Sequence, residues 1–261
     1  MRSLSIAATG MLAQQMNVEV ISNNIANLRT TGFKRQRAAF QDLLYPHKRR
    51  VGSETSDTGT LVATGVQVGS GVKTAATPRI LTQGNLEATQ KKMDIAVRGE
   101  GYFQIQLPDG RTAFTRDGSF EIDANGNMVT VDGYSVVPNI TFPNDGRDVT
   151  INGEGVVSVI SGVNATPDEL GQIQLARFIN KAGLEAIGDN LFVETPSSGT
   201  PQIGDPNDDG YGNLLQGYLE LSNVNAVTEI SDLIAAQRAY ELNSRVIKAA
   251  DEMLSSANQI R

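Results

Sequence analysis

The chain has 261 residues, with 22 Lys and Arg against 29 Asp and Glu, and therefore a formal net charge of −7 at pH 7. This length suits one large domain or two modest ones. The chain has no cysteine, which excludes disulfides, thiolate metal sites and cysteine nucleophiles, and its single histidine argues against a histidine-rich metal site. We expect no membrane-spanning helix and no cleaved signal peptide, because long apolar runs are absent from the sequence.

Basic residues concentrate near the start of the chain. Residues 1–50 hold eight basic and two acidic side chains, a net of +6, whereas the remainder has a net of −13. The acidic average argues against a nucleic-acid binder. The basic stretch is either a partner surface or a solvated segment that flanks a turn, and the pattern leaves both open.

Proline and glycine divide the chain into three parts. All nine prolines lie between Pro46 and Pro206, and 24 of the 26 glycines lie between Gly52 and Gly217. Two ends that lack helix breakers and a middle rich in turn residues predict an α+β fold, with terminal helices bracketing a β-rich antiparallel middle. We divide the chain into a terminal helical domain at 1–31 and 222–261, an extended connector at 32–76 and a β-rich domain at 77–221.

The first segment has an apolar period of seven residues, typical of a coiled-coil seam. The seam positions are Leu4, Met11, Val18 and Ile25, with Ala7, Ile21 and Leu28 three residues later and Gln14 as the polar exception. We expect the helix to end near Gly32, which can adopt the left-handed conformation.

The last segment repeats this pattern. Its seam positions are Ile230, Leu233, Tyr240, Ile247 and Leu254, with Ala236, Ala250 and Ala257 three residues later and Asn243 as the polar exception. Ser222 or Asn223 is the expected N-cap. The two helices could pack on the β-rich domain of their own chain, or pair with each other and with copies in neighbouring chains; a sustained heptad at both ends favours pairing.

The middle of the chain reads as a series of hairpins. Pro108-Asp109-Gly110 separates strand-like runs at 102–107 and 111–115, and Asn125-Gly126 separates runs at 120–123 and 128–131. For Asn-Gly we expect a type I′ turn, which needs positive φ at both central residues. Turns that recur every 8–12 residues or so predict an antiparallel sandwich or a barrel-like body.

Possible chemical sites are weak. Asp205 to Gly210 matches the opening of a calcium loop, but Gln216 stands where a bidentate glutamate is needed, so an acidic turn is the favoured interpretation. His47 lies in a basic stretch that suits a solvated loop better than a catalytic base. We therefore predict no catalytic residue, no cofactor and no metal site, and no enzyme activity.

Three motifs, in chain order, resemble those of bacterial flagellar rod and hook proteins. The first is Ser22-Asn23-Asn24-Ile25-Ala26-Asn27 followed by Gly32-Phe33-Lys34. The second comprises 95–103 and 114–120, and the third comprises 221–225 and 236–244. The residues that carry the two terminal motifs are Asn23, Asn24, Asn27, Gly32, Phe33, Lys34, Asn223, Asn225, Gln237, Arg238 and Tyr240. Within this family the segments 32–37 and 40–45 and the compact size are similar to distal rod subunits.

The resemblance implies a structural role. The terminal helices would form an inner coiled-coil domain that lines a hollow tube, with the β-rich domain outside it. The subunit would self-assemble into the distal rod, a rigid drive shaft that transmits torque from motor to hook. Implied partners are further copies of the chain, proximal rod proteins, hook protein, the outer-membrane and peptidoglycan ring bushing, and the type III export apparatus. The rod crosses the periplasm in the flagellar basal body. A proximal rod or hook subunit, and a secreted calcium-dependent β adhesin, remain alternatives.

Overall fold

A computed structural model describes residues 2–49, 64–143, 146–161 and 167–259, without the side chains of Arg147 and of 257–259. Residues 50–63 of the predicted connector and the side chain of Ala257 fall outside this description. Among the described helices, none is long and apolar enough to cross a membrane.

Two long α-helices lie at the ends of the chain and β-strands lie between them, which confirms the predicted α+β class. The helices are α1 (Arg2–Ala26) and α2 (Ala226–Gln259). The strands, in chain order, are β1 Ala39–Asp42, β2 His47–Arg49, β3 Val66–Gln67, β4 Val72–Ala76, β5 Leu86–Ala88, β6 Ile95–Arg98, β7 Phe103–Gln106, β8 Thr112–Thr115, β9 Phe120–Ile122, β10 Met128–Thr130, β11 Ser135–Val137, β12 Gly146–Ile151, β13 Val156–Ser161, β14 Pro167–Gln172, β15 Leu175–Arg177, β16 Glu185–Gly188, β17 Leu191–Val193, β18 Gln202–Gly204, β19 Asn213–Gln216 and β20 Tyr218–Glu220. A 3₁₀ turn covers Lys181–Gly183.

The chain divides into two compact units, each assembled from segments that are distant in sequence. The helical unit comprises Met1–Ala26, Gln36–Pro78 and Asn225–Arg261, and the β unit comprises Asn27–Arg35 and Arg79–Val224. The β unit therefore includes the residues directly after α1.

In the helical unit α1 and α2 pack against each other, which confirms the predicted pairing of the two helices. They are antiparallel, because Asn24 near the end of α1 contacts Glu229 in the first turn of α2, while Gly10 faces Asn243. A Cβ added to Gly10 would lie 2.9 Å from Asn243 Nδ2, so glycine at this position allows the helices a close approach. This contact explains why Gly10 interrupts the apolar pattern of the first segment.

Small residues dominate the buried surface between these helices. The buried apolar side chains are Ala7, Ala13, Val20 and Ile21 on α1 and Ala236 and Ala250 on α2. Such short side chains allow a close approach of two helix backbones.

The start of α2 differs from the sequence prediction. Asn225 is the N-cap, because its Oδ1 accepts hydrogen bonds from Val227 N at 3.0 Å and Thr228 N at 3.3 Å. The prediction of Ser222 or Asn223 as the cap was wrong: Asn223 makes its hydrogen bonds elsewhere, as described below. The last turn of α1 also ends earlier than expected, at Ala26, and Gly32 adopts its positive φ of 69° in the loop that follows.

Two short antiparallel sheets complete the described part of the helical unit. β1 pairs with β4, with Phe40 opposite Thr74, and β2 pairs with β3. Strand β4 packs against α1, where Thr9 Oγ1 accepts a hydrogen bond from Val72 N at 3.4 Å.

The β unit contains a seven-stranded sheet in the order β16-β17-β8-β7-β11-β10-β9 and a three-stranded sheet in the order β12-β13-β14. The unit also contains three separate two-stranded sheets, β15-β18, β19-β6 and β20-β5. All of these pairs are antiparallel, as the hairpin pattern predicted. The core is built from aliphatic and aromatic side chains of these strands, among them Phe103 and Phe120, whose rings meet edge to face at 5.0 Å.

One turn geometry recurs in four hairpins of the β unit. In each, a glycine N–H donates to the carbonyl three residues earlier, and the N–H of that earlier residue donates to the carbonyl of the residue after the glycine. The glycines are Gly110, Gly126, Gly133 and Gly155, with φ of 84°, 84°, 85° and 84°. This is a type I turn closed by a glycine bulge, a common three-residue hairpin connection.

The hairpin at Asn125-Gly126 was therefore correctly predicted, but the type I′ turn was wrong because Asn125 keeps a negative φ. The I′ conformation occurs instead at Asp189-Asn190, between β16 and β17, where φ is 51° and 58°. A side-chain bond selects the first geometry: Asp123 Oδ1 accepts from Asn125 N and from Asn127 N, at 2.8 and 2.7 Å.

Gly126 and Gly110 form a matched pair for a stability experiment. Their φ angles are equal, but a Cβ at Gly126 would lie 2.3 Å from the carbonyl oxygen of Phe142, whereas a Cβ at Gly110 meets nothing within 4 Å. We predict that Gly110→Ala costs about 1–2 kcal/mol through the left-handed backbone alone. Gly126→Ala should cost about 1–3 kcal/mol more, because the backbone segment that holds Phe142 must move. Urea unfolding of both variants measures the difference, and equal losses would contradict this account.

Candidate assembly interface

The predicted seam residues of α1 lie on or beside its contact with α2. Ile21 is buried, and Leu4, Met11, Val18 and Ile25 are half-buried. Leu28 follows the helix in the β unit and is also half-buried. Apart from Ile21, each large seam side chain of α1 thus keeps part of its surface accessible.

The predicted seam residues of α2 divide into two groups. Leu233, Ile247 and Leu254 are half-buried, whereas Ile230 and Tyr240 are 49% and 44% exposed. Ile230 and Tyr240 are thus not fully covered by other described residues. That the seam residues of both helices contact other copies stays a prediction.

Asn24 joins three parts of the helical unit. Its side chain is 1% exposed; Nδ2 donates to the carbonyl of Gln36 at 2.8 Å and to Glu229 Oε2 at 3.0 Å, and Oδ1 accepts from Gln36 N at 2.9 Å. Only an amide group offers donors and an acceptor in this arrangement. Asn24 therefore ties α1 to the segment that follows it and to the first turn of α2.

In the β unit, a buried carboxylate holds two cations. Lys34 Nζ contacts Glu220 Oε1, and Arg116 Nε lies 3.2 Å from Glu220 Oε2. Their exposed fractions are 3%, 1% and 6% for Lys34, Glu220 and Arg116. Burial lowers the pKa of Lys34 and outweighs the opposing effect of Glu220, which raises it.

Backbone groups add hydrogen bonds to this cluster. Lys34 Nζ donates to the carbonyl of Thr82 at 3.0 Å, and Gly84 N donates to Glu220 Oε1 at 2.9 Å. Arg116 donates to the carbonyls of Gly101 at 2.6 Å and Gly99 at 2.7 Å. Buried charges are tolerated when they are paired and hydrogen-bonded in this way.

Asn223 makes a second connection in the β unit. Its Nδ2 donates to the carbonyls of Ile80 at 2.8 Å and Thr82 at 3.0 Å, and its Oδ1 accepts from Arg35 N at 2.8 Å. The side chain therefore bridges the segment after α1 to the segment before β5, which accounts for its absence from the cap of α2.

The other motif residues serve local structure or lie on the surface. Asn27 Oδ1 accepts from Thr30 Oγ1 at 3.1 Å in the turn after α1. Gly32 N donates to the carbonyl of Glu220 at 2.7 Å, and Phe33 O accepts from Asn223 N at 3.4 Å. The exposed members are Asn23, Gln237, Arg238 and Tyr240.

The weak chemical sites of the sequence are structural here. Asp205 Oδ1 accepts a hydrogen bond from Gln174 Nε2 at 3.3 Å. Backbone hydrogen bonds hold the loop that follows, including one from Tyr211 N to the carbonyl of Asp208. The described residues contain no group of three or more acidic or histidine side chains placed to hold a metal ion.

Three family models match this chain in order. One described as "Flagella basal body rod protein" matches residues 4–34, one described as "Flagellar hook protein FlgE/F/G D1 domain" matches 96–159, and one described as "Flagellar basal body rod FlgEFG protein C-terminal" matches 215–260.

Curated relatives align over nearly the whole length. The chain is 54% identical to the flagellar basal-body rod protein FlgG of Caulobacter vibrioides over all of both chains. It is 54% identical to that of Agrobacterium fabrum, covering 98% of this chain and 97% of the relative, and 37% identical to that of Bacillus subtilis, covering 97% of each. The chain belongs to the flagellar basal-body rod protein family. It is a structural component of the bacterial flagellar basal body, and the adhesin alternative is not favoured.

The buried charge cluster takes one residue from each of the three segments that the rod-family models match. Lys34, Arg116 and Glu220 lie in 4–34, 96–159 and 215–260 respectively. Sequence reasoning quoted Lys34 and Arg116 within motifs but missed Glu220, whose only local signal is an acid between Leu219 and Leu221. Gln36, whose backbone binds Asn24, carried no signal that distinguished it from exposed polar residues.

Removing the shared carboxylate should destabilise the rod subunit strongly. We predict that Glu220→Gln costs about 3–5 kcal/mol, because two buried cations lose the carboxylate that both of them contact. Lys34→Met should cost less, since Glu220 keeps Arg116 at 3.2 Å. Urea unfolding followed by far-ultraviolet circular dichroism gives both values.

The matched control is Lys91→Met, because Lys91 and Glu121 form an exposed pair at 3.7 Å. Its loss should change the free energy of unfolding by less than about 0.5 kcal/mol. A Glu220→Gln effect no larger than that of the control would mean that the buried cluster does not hold the β unit together.

Proposed function

We propose that this chain is the subunit of the flagellar distal rod and polymerises into a rigid, hollow drive shaft that transmits torque from motor to hook. The observation that carries the proposal is the 54% identity to a basal-body rod protein over the full length of both chains. A shared sequence over every segment favours the same architecture and the same mode of assembly.

The terminal helices, with the flanking residues of 1–31 and 222–261, are proposed as the assembling domain, the segment 32–76 as a connector and 77–221 as the outer domain. Helix α2 has 34 residues and is therefore about 51 Å long. Stiffness would arise because each long helix pair shares apolar contacts with several copies, and modest contacts add strongly when they act together.

The proposed partners are further copies of this chain, the proximal rod proteins, the hook protein, the outer-membrane and peptidoglycan ring bushing and the type III export apparatus. Nucleic acid is not proposed as a partner, in keeping with the net charge of −7. We also propose that the chain has no catalytic role.

A complementation experiment tests the proposal. In a strain that lacks its own distal rod gene, expression of this chain should restore swarming, and electron micrographs of isolated basal bodies should contain full-length rods. Rods that stop before the distal segment while the protein is exported and folded would contradict the proposed function.

Ile247→Asp tests the proposed role of the helix pair. Ile247 is half-buried beside α1, and a charge without a partner at this position costs several kcal/mol, a penalty that recurs at every subunit of a polymer. We predict swarming at the level of the deletion strain, with exported protein whose β unit still melts as a cooperative unit. Lys248→Asp, at an exposed neighbouring position, is the control and should retain rods. Normal rods from Ile247→Asp would exclude this seam from assembly.

A further inference from the structure

The β unit contains a groove that lies outside the buried charge cluster and the asparagine contacts. Its volume is about 530 Å³, which is within the range of ligand-binding clefts. The buried residues that line its base are Gln104 of β7, Phe114 of β8 and Val193 of β17. Its rim is formed by exposed side chains, among them Glu185 and Glu194.

Gln104 brings an unused amide to the base of the groove. The residue is 4% exposed and lies opposite Phe114 on the same face of the sheet. Its side-chain amide makes no hydrogen bond with any residue that the structure describes. The amide atoms keep some access to solvent and therefore open onto the groove that Gln104 lines. A buried polar group without a protein partner calls for an explanation, and a ligand that offers both a donor and an acceptor supplies one.

Strand β18 borders the groove through Ile203 and has one open edge. Within the part of the chain that the structure describes, β18 pairs only with β15. Ala176 of β15 lies opposite Ile203, but the N–H and C=O of Ala176 both bind Tyr102 on its other side, at 2.9 Å. In an antiparallel ladder, two opposite residues that do not bind each other both direct these groups outward. The backbone groups of Ile203 therefore face away from β15 and can bind a further strand.

The charged groups of the groove favour a cation. Arg111 is already paired, because its Nε lies 2.6 Å from Asp109 Oδ2. Glu185 and Glu194 are exposed and form no ion pair with any described residue. Glu185 lies opposite Val193, the residue before Glu194. The two carboxylates thus come from adjacent strands, and together they leave the groove with uncompensated negative charge.

These features distinguish between classes of ligand. Uncompensated carboxylates repel phosphates and other anions. A saccharide would need an accessible ring to stack on, but Phe114, at the base of the groove, is 1% exposed. A peptide matches every feature. Its backbone offers donors and acceptors, its side chains can pack on Pro201 and Ile203, and a lysine or arginine supplies the cation.

We infer that the groove binds an extended segment of another protein that carries a lysine or an arginine. The segment adds a strand at the open edge of Ile203, one of its peptide groups pairs with the amide of Gln104, and its basic side chain contacts Glu185 and Glu194. In strand addition of this kind, main-chain hydrogen bonds give affinity and a few side-chain contacts give specificity. The inference concerns the β unit and holds whether or not the chain forms the distal rod.

A titration with synthetic peptides tests the inference. The probe is acetyl-Thr-Val-Lys-Val-Thr-amide, added to the full-length chain and followed by isothermal titration calorimetry. We expect a Kd below about 1 mM. Two control peptides change one feature each: a glutamate in place of the lysine removes the cation, and prolines in place of both valines remove N–H groups that a strand donates. Each control should bind at least about tenfold more weakly.

Variants of the chain separate the contributions. Gln104→Met removes the amide and keeps a side chain of similar length. It should weaken peptide binding at least about tenfold without lowering the melting temperature, because the amide has no protein hydrogen bond to lose. Glu185→Gln with Glu194→Gln should abolish the preference for the lysine peptide over the glutamate peptide. The matched control is Glu154→Gln, at an exposed glutamate outside the groove, and should bind as the wild type does.

Three results would overturn the inference. The first is a lysine peptide that does not bind, or that binds Gln104→Met as tightly as the wild type. The second is a clearly lower melting temperature for Gln104→Met, which would give the amide a structural role. The third is self-association of the chain, measured by light scattering, that Glu185→Gln with Glu194→Gln abolishes. In that case a second copy of the chain, and not another protein, would occupy the groove.

Discussion

The folded β unit depends on the Glu220 carboxylate, which is removed from water and compensated by Lys34 and Arg116. Its energetic weight lies less in net stability than in the penalty for separating the three groups, since an isolated buried charge is far costlier than a buried pair. Lys34 follows α1, Arg116 follows β8 and Glu220 ends β20. A misaligned segment at any of these positions would leave a buried charge without a partner, so the cluster specifies how three distant parts of the chain come together.

Asparagine amides perform the corresponding task with neutral groups. Asn24 saturates the backbone of Gln36 and binds Glu229 in the helical unit, and Asn223 saturates three backbone groups in the β unit. In both places the segment being held has no long strand of its own to satisfy its backbone hydrogen bonds. A side-chain amide supplies the missing donors and acceptor, which a buried segment requires.

The two units differ in how much of their apolar surface they bury. The β unit encloses large aromatic and aliphatic side chains, with Phe103, Phe120 and Met128 at no more than 1% exposure. The helices bury mainly alanine, with Val20 and Ile21, and leave several large apolar side chains of α2 exposed. This division suits a subunit whose body folds by itself and whose helices complete their packing only in a polymer, where weak contacts repeated along a helical array become strong together.

Local sequence patterns determined much of this protein. Terminal helices followed from the heptads and from the scarcity of glycine and proline, hairpins followed from Asp-Gly and Asn-Gly turns, and three motifs led to the family. Features that depend on partners distant in sequence did not follow. From the sequence, Asn223 is a possible cap of α2. In the structure its side chain donates hydrogen bonds to the carbonyls of Ile80 and Thr82 instead, and Asn225 caps the helix. The turn at Gly126 is not type I′, because Asp123 Oδ1 accepts hydrogen bonds from the backbone N–H groups of Asn125 and Asn127.

The same limit applies to the surfaces of the helical unit. The seven-residue period predicted that α1 pairs with α2, but only the tertiary structure decided that most of their buried apolar side chains are alanines and that Gly10 faces Asn243. The tertiary structure also decided that Glu220 lies between two cations. In the sequence, an acid between two leucines cannot be told from any other strand residue, because Lys34 and Arg116 approach it only in the folded chain. Periodicity reports which residues share a face, whereas the identity of what that face meets depends on segments that the local pattern does not contain.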